Sequence, residues 1–156
     1  MQTLQQAMPT LARHAGTWEG QCRYYDAAGE LVDEHQSRLI CSFPEDGPYP
    51  YLQTNVHRWA DGRSETRVYP ATCSNGRVHW DSAEISGWAA EVAADPDGLT
   101  LMLRWIPRAE PAVCVHEWVQ LSACGRFRSR IGQWVEDGRV RLRMVSDEER
   151  VEGAAG

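Results

Sequence analysis

Apolar residues recur at helical spacing near the start of the chain, at Leu4, Ala7, Met8 and Leu11. From Thr17 onward the period changes to two. The first segment predicts a short helical lead-in over 1–15, with Pro9 as a break or a fresh start. The remainder predicts ten strands, at 17–25, 31–43, 51–59, 64–70, 77–82, 85–92, 99–105, 113–122, 126–135 and 139–146. Asp61-Gly62, Asn75-Gly76, Asp97-Gly98 and Asp137-Gly138 stand between alternating runs and mark tight hairpins. No connection is long enough for a crossover helix. The predicted fold is therefore all-β: an antiparallel up-and-down β-barrel of about ten strands with a short N-terminal helix. It is one domain over 1–156, and the acidic, then Gly/Ala-rich stretch 147–156 predicts a loose tail.

The alternation also predicts which faces point inward. In the tenth strand Val140, Leu142 and Met144 alternate with three arginines, and the apolar set is expected inside. The same rule places Phe127, Ser129 and Ile131 of the ninth strand inside, and Arg126, Arg128 and Arg130 outside. Leu99, Leu101, Leu103 and Trp105 of the seventh complete an apolar wall. A barrel of about ten strands is too wide for side chains alone to fill, so a cavity is expected. The third strand offers two faces, Tyr51/Gln53/Asn55/His57/Trp59 and Leu52/Thr54/Val56/Arg58. An inward polar face is preferred, because ligand pockets combine an apolar lining with a few placed polar groups. The second strand leaves the same choice between His35/Ser37/Leu39/Cys41/Phe43 and Glu34/Gln36/Arg38/Ile40. Two proline-rich loops, Pro44–Pro50 and Pro107–Pro111, are candidates for a gate at the barrel mouth.

Composition narrows the partners. The net charge is −6, and no basic stripe runs along the chain, so nucleic acid is not an expected partner. All 16 basic residues are Arg, which excludes Schiff-base chemistry through a lysine. The five cysteines form no C-x-x-C pair, and the five histidines show no H-x-H or H-E-x-x-H spacing, so no metal is expected. The N-terminus lacks an apolar run of leader type and nothing approaches the length of a membrane span. A cytoplasmic protein with reduced thiols, monomeric or homodimeric and without a membrane partner, is the expectation.

Gly16-Thr17-Trp18-Glu19-Gly20 opens the first strand. With ten meandering strands behind it, this G-x-W signature resembles the calycin superfamily: lipocalins, fatty-acid-binding proteins and nitrobindin-like barrels. Nitrobindin-like proteins continue the signature into a glycine-alternating run ending in Tyr-Pro, where this chain has Cys22 and Tyr24-Tyr25. Its general likeness is to bacterial lipocalin-like proteins. The resemblance implies a closed barrel around a small-molecule cavity, with Trp18 plugging one end.

Two residues stand out for chemistry. Glu117 shares a face with Val113, Val115, Val119 and Leu121. It is either a buried acid or base, or a carboxylate paired with an arginine such as Arg104. His57 shares a face with Tyr51 and Asn55. The expected ligand is a hydrophobic small molecule, aromatic or polyketide-like, lying against Trp18, Tyr24, Trp105, Leu103, Phe127 and Leu142. Tyr51, Gln53 and Asn55 would polarise it, and Glu117 and His57 would move a proton. That describes a cofactor-independent isomerase, cyclase or lyase. A carrier without turnover is the alternative, and a haem protein with His57 or His116 as axial ligand is a third reading.

Overall fold

A computed structural model describes residues 2–152, and its strands close into a single barrel. Two helices, α1 (Leu4–Ala7) and α2 (Pro9–Arg13), precede ten strands. These are β1 (Gly16–Asp26), β2 (Leu31–Ser42), β3 (Tyr51–Arg58), β4 (Ser64–Ser74) and β5 (Arg77–Asp81), then β6 (Ile85–Glu91), β7 (Thr100–Pro107), β8 (Val113–Leu121), β9 (Phe127–Glu136) and β10 (Arg139–Val151). Each strand pairs antiparallel with its neighbours in sequence, and β1 also pairs with β10 to close the ring. The up-and-down prediction therefore holds. No helix among the described residues is long and apolar enough to cross a membrane.

The sequence explains the closure locally. Thr3 and Gln6 cap α1 reciprocally, and Pro9 sits in the first turn of α2, where its missing N–H costs nothing. The backbone N–H groups of Thr10 and Leu11 donate to one oxygen of Glu91 at 2.6 and 3.1 Å, which satisfies donors that a helix start leaves open. Leu4, Met8 and Leu11 pack with Trp18, Leu39, Leu101, Val119 and Leu121 and seal the lower end of the barrel. At Gly20 a side-chain carbon would lie 2.1 Å from the Asp147 carbonyl oxygen, so β1 and β10 can approach only without one.

Two expectations are corrected. The stretch after Ser146 is not loose up to Val151: β10 continues to that residue and pairs with β1 throughout, Val151 opposite Thr17. Residues 153–156 of the predicted tail lie outside the described residues. The ninth strand has the opposite phase to the one predicted. Arg128 is buried and Arg130 nearly so, while Phe127 and Ile131 are each 50% exposed on the outside. The barrel interior holds two carboxylates, Glu117 and Glu148, and the arginines turn inward to meet them. Of the predicted apolar wall β7 and β10 remain, and β9 contributes Trp134 in place of Phe127 and Ile131.

The two proline-rich loops fall at opposite ends. Pro44–Pro50 follows β2 at the helix end, and Pro107–Pro111 leaves β7 at the other, where the β1–β2, β3–β4 and β9–β10 hairpins turn. Only one of them can stand at the mouth. Along the wall, β4 and β5 pair over just Thr72–Ser74, so Ser64–Ala71 of β4 has no strand on that side. The Arg67–Glu84 ion pair, 3.5 Å, reaches across this parting.

Candidate functional site

Inside the barrel, alternate positions of β8, β9 and β10 set charges of opposite sign in a line. Arg128 donates to Glu148 at 2.5 Å, Arg130 to Glu148 at 3.1 Å, and Arg130 to Glu117 at 3.3 Å. Burial opposes the charge on Arg130, but Glu148 and Glu117 outweigh it and raise its pKa. At the bottom of this line the Trp18 ring lies between the Arg128 and Arg150 guanidinium groups, 4.5 and 4.3 Å from its centroid. Its N–H donates to the His14 carbonyl at 2.9 Å, and Arg150 donates to the Ala15, Arg13 and Gly125 carbonyls. The result is a floor of paired charges and a clamped ring.

Above the floor the interior opens into a cavity of about 390 Å³ that reaches the hairpin end, with a side recess of about 70 Å³. Its walls are aromatic. Tyr24 and Trp134 meet edge to face at 5.4 Å, and Trp134 meets Trp105 the same way at 5.8 Å. A second wall continues from Tyr24: His35 lies 5.8 Å from it, 4.3 Å from His57 and 4.9 Å from Trp59, between centroids.

Asp33 organises that second wall. It sits two residues before His35 on β2, so both face inward. One carboxylate oxygen accepts from Trp59 Nε1 at 2.8 Å and the other contacts His35 Nδ1 at 3.0 Å. A carboxylate only accepts, so Nδ1 carries the proton and Nε2 carries the lone pair when the ring is neutral. Burial acts to raise the Asp33 pKa, yet the hydrogen bonds from His35 and Trp59 prevail and hold it below the ordinary carboxylate value. His35 is 4% exposed and its Nε2 has no partner among the described residues. His57 is pushed down to about 4, by burial first and then by its neighbours His35 and Arg130, and is neutral at pH 7. Burial drives the Cys22 thiol up to about 11 and raises the Tyr24 phenol well above its ordinary value.

The structure sorts the sequence candidates into five groups. Glu117, His57, Asn55, Tyr24, Trp105 and Leu142 line the main cavity, and Gln53 and Leu103 line the recess. Glu117 is buried and paired with an arginine, but the arginine is Arg130 and not Arg104, the example the sequence offered, which is exposed; Glu117 also accepts from the Trp105 N–H (3.4 Å). Tyr51 lies deeper, buried against Phe43 and Trp80, its hydroxyl 3.4 Å from Gln53 Oε1. Trp18 belongs to the floor and does not line the cavity, because the two arginines and the lead-in fill the space around it. Phe127 is corrected outright: it stands on the outer surface, because the phase of β9 is inverted.

Sequence reasoning placed Trp59 on the inward face of the third strand but missed Asp33, Trp134 and Arg130 as cavity groups, and weighed His35 only as a face. The signal for Asp33 was there: an Asp two residues before a His in a strand puts a carboxylate beside an imidazole. Nothing local announces Arg130, whose inward turn follows from the carboxylates on the neighbouring strands.

No protein family matches the chain, and no curated protein does. Solved structures do. The S-type phycobiliprotein lyase CpeS of Guillardia theta superposes with a TM-score of 0.69 at 13% identity, over 93% of this chain and 92% of that one. A protein of unknown function from the DUF3598 family of Nostoc punctiforme superposes with a TM-score of 0.67 at 17% identity, over 90% of this chain. This chain spans about half the length of the Nostoc protein, 49%. Both neighbours are ten-strand barrels of the calycin-like kind, and at these identities the likeness shows the fold alone.

Proposed function

We propose that the barrel binds a flat, hydrophobic small molecule, aromatic or polyketide-like, in the cavity at its hairpin end, and acts on it by acid–base chemistry without a cofactor. The observation that carries this reading is the cavity wall. Five large rings (Tyr24, Trp59, Tyr69, Trp105 and Trp134) surround the space, and polar groups, among them Asn55, Glu117, Arg130, the Glu65–Arg67 pair and the two imidazoles, stand between them. A planar conjugated molecule fits such rings by stacking or edge contact, and the polar groups orient it. A volume of about 390 Å³ is in the range of drug-sized ligand sites. The fold shared with a phycobiliprotein lyase is consistent with a small-molecule site and with lyase-type chemistry. Acid–base isomerisation, cyclisation or elimination of a conjugated ligand proceeds by proton transfer, for which this wall holds imidazoles and carboxylates.

The test is a tryptophan-fluorescence titration with two planar probes, 2-naphthol and flavone. At least one is expected to saturate at one molecule per chain, and Trp59→Ala is expected to weaken it about tenfold. If none saturates, or if Trp59→Ala and Trp134→Ala both bind as tightly as the unaltered protein, the reading fails. A probe recovered unchanged after long incubation, with every candidate substrate also unchanged, makes the protein a carrier.

A further inference from the structure

Five buried side-chain atoms lack a partner among the described residues: His14 Nδ1, His35 Nε2, Trp80 Nε1, Arg128 Nη2 and Ser146 Oγ. His14, Trp80 and Arg128 border a void of about 30 Å³ in the floor, room for a water or two and nothing larger. Ser146 does not border the main cavity. His35 alone of the five lines the 390 Å³ space. Its other ring nitrogen is held by Asp33, and Asp33 is itself held by the Trp59 N–H. The imidazole is thus fixed at one end, and at the other its Nε2 is buried without a partner in a ring that borders the cavity.

We propose that Asp33 and His35 form a general-base pair, in which Nε2 of His35 takes a proton from a planar conjugated carbonyl compound bound against Trp59 and Tyr24. This rests on the cavity reading above and gives it a substrate class and a base. The C–H bond next to the conjugated carbonyl breaks, and its proton forms an N–H bond on Nε2. The electron pair left behind moves into the conjugated system as an enolate. The imidazolium returns the proton at a different carbon of that system, so the net change is an isomerisation that needs no oxidant, reductant or cofactor. His35 is the catalytic residue and Asp33 a positioning residue, which fixes the tautomer and stabilises the imidazolium when it forms. Glu117 is less suited to this step, because Arg130 and Trp105 already occupy both its oxygens.

The surroundings favour the proton transfer at neutral pH. Cys22 and Tyr24 on β1 and His57 on β3 face His35, and all three are uncharged there, the thiol and phenol raised and the imidazole lowered. The charged groups that remain along the cavity are Asp33, the Arg130–Glu117 pair and the Arg67–Glu65 pair.

Two measurements decide the matter. Long-range proton–nitrogen NMR at pH 7 is expected to find His35 with a proton on Nδ1 and none on Nε2, the Nδ1 proton at low field and lost from there in Asp33→Asn. The second uses 5-nitrobenzisoxazole, a planar probe that a base opens by removing its ring C–H while the N–O bond breaks to give a cyanophenolate. The protein is expected to accelerate the opening, and His35→Gln to lower kcat at least 100-fold with KM within threefold. Asp33→Asn is expected to lower kcat about tenfold and to move the lower inflection of the pH profile. Trp118→Ser, on the outer face, serves as the unaffected control. A proton on Nε2, or an opening rate indifferent to His35→Gln, overturns the base. Saturable binding with no acceleration overturns the base and leaves the cavity reading standing. Absence of saturable binding sinks both.

Discussion

At the helix end of the barrel, Arg128 and Arg150 clasp the Trp18 ring, and Glu148 takes the charge of Arg128 and Arg130. At the hairpin end, His35 and Trp59 share Asp33, and a buried ring nitrogen is left without a partner beside an open space. Both ends use inward-facing polar residues on alternating strands, and both use a tryptophan near charge. They differ in what is left over. The floor pairs its charges with one another, and the polar atoms it leaves without a partner, on His14, Trp80 and Arg128, border a void too small for a ligand. The mouth holds its aromatic rings apart, and the space between them is the candidate site. Burying charge is costly unless it is paired, so the floor is expected to govern stability and the mouth to govern binding.

The largest effect separating the two ends is expected from Glu148→Ala. It strips Arg128 and Arg130 of their shared carboxylate in a dry interior and should cost about 3–5 kcal/mol in urea unfolding. An equally exposed change at the mouth rim should cost far less. A loss under about 1 kcal/mol would erase the distinction.

Acid should act on the same divide. His14 in the floor is held down to about 4, by burial first and then by Arg128. A histidine whose folded pKa is depressed is neutral in the native state and must charge on unfolding. Its stabilising share is complete above about 6.5 and drains away as the pH falls towards about 4. That share is on the order of 3 kcal/mol. Urea midpoints should therefore fall steadily over that window, and less steeply in His14→Gln. His57 adds in the same direction, with a smaller share because it is partly exposed to the cavity. Midpoints that stay level from 6.5 to 4 would mean that neither imidazole is held neutral.

Trp59→Ala should do the reverse of Glu148→Ala. Affinity for a planar probe is expected to drop about tenfold while stability changes by about 1 kcal/mol or less, since the ring stands at a half-open wall. Fluorescence titration and urea unfolding on one sample read both. The smallest effect is expected from Phe127→Ser, within about 0.5 kcal/mol, because that ring is outside the barrel. A large loss there would mean that β9 faces inward after all.

How much of this could be read from the chain depended on the kind of signal. Asn75-Gly76 and Asp137-Gly138 carry positive φ at both positions, which only such pairs adopt cheaply, and the hairpins they form were legible. The inward face of β3 was legible too, because Tyr51, Gln53, Asn55, His57 and Trp59 belong together only around a partly polar cavity. The phase of β9 was not. Phe127, Ser129 and Ile131 look like a core face when apolar residues are assumed to be inside. The interior here is charged, and the choice was made by Glu117 and Glu148, one on each neighbouring strand. Opposite Glu117 stands Gly132, where a side-chain carbon would come within 3.3 Å of the Glu117 Cγ, so the glycine makes room for the carboxylate. Such pairings exist only once the register is known. The Asp33–His35 pair lies between these cases: the spacing is visible in sequence, but the open nitrogen is a property of the cavity.

The most direct measurement follows the indole and imidazole NMR signals while 2-naphthol is added. If the hairpin-end cavity is the site, the Trp59, Trp105 and Trp134 indoles and the His35 ring shift together and saturate at one molecule per chain, while Trp18 in the floor and Trp118 outside stay still. Shifts centred on Trp118, or none that saturate, would contradict it.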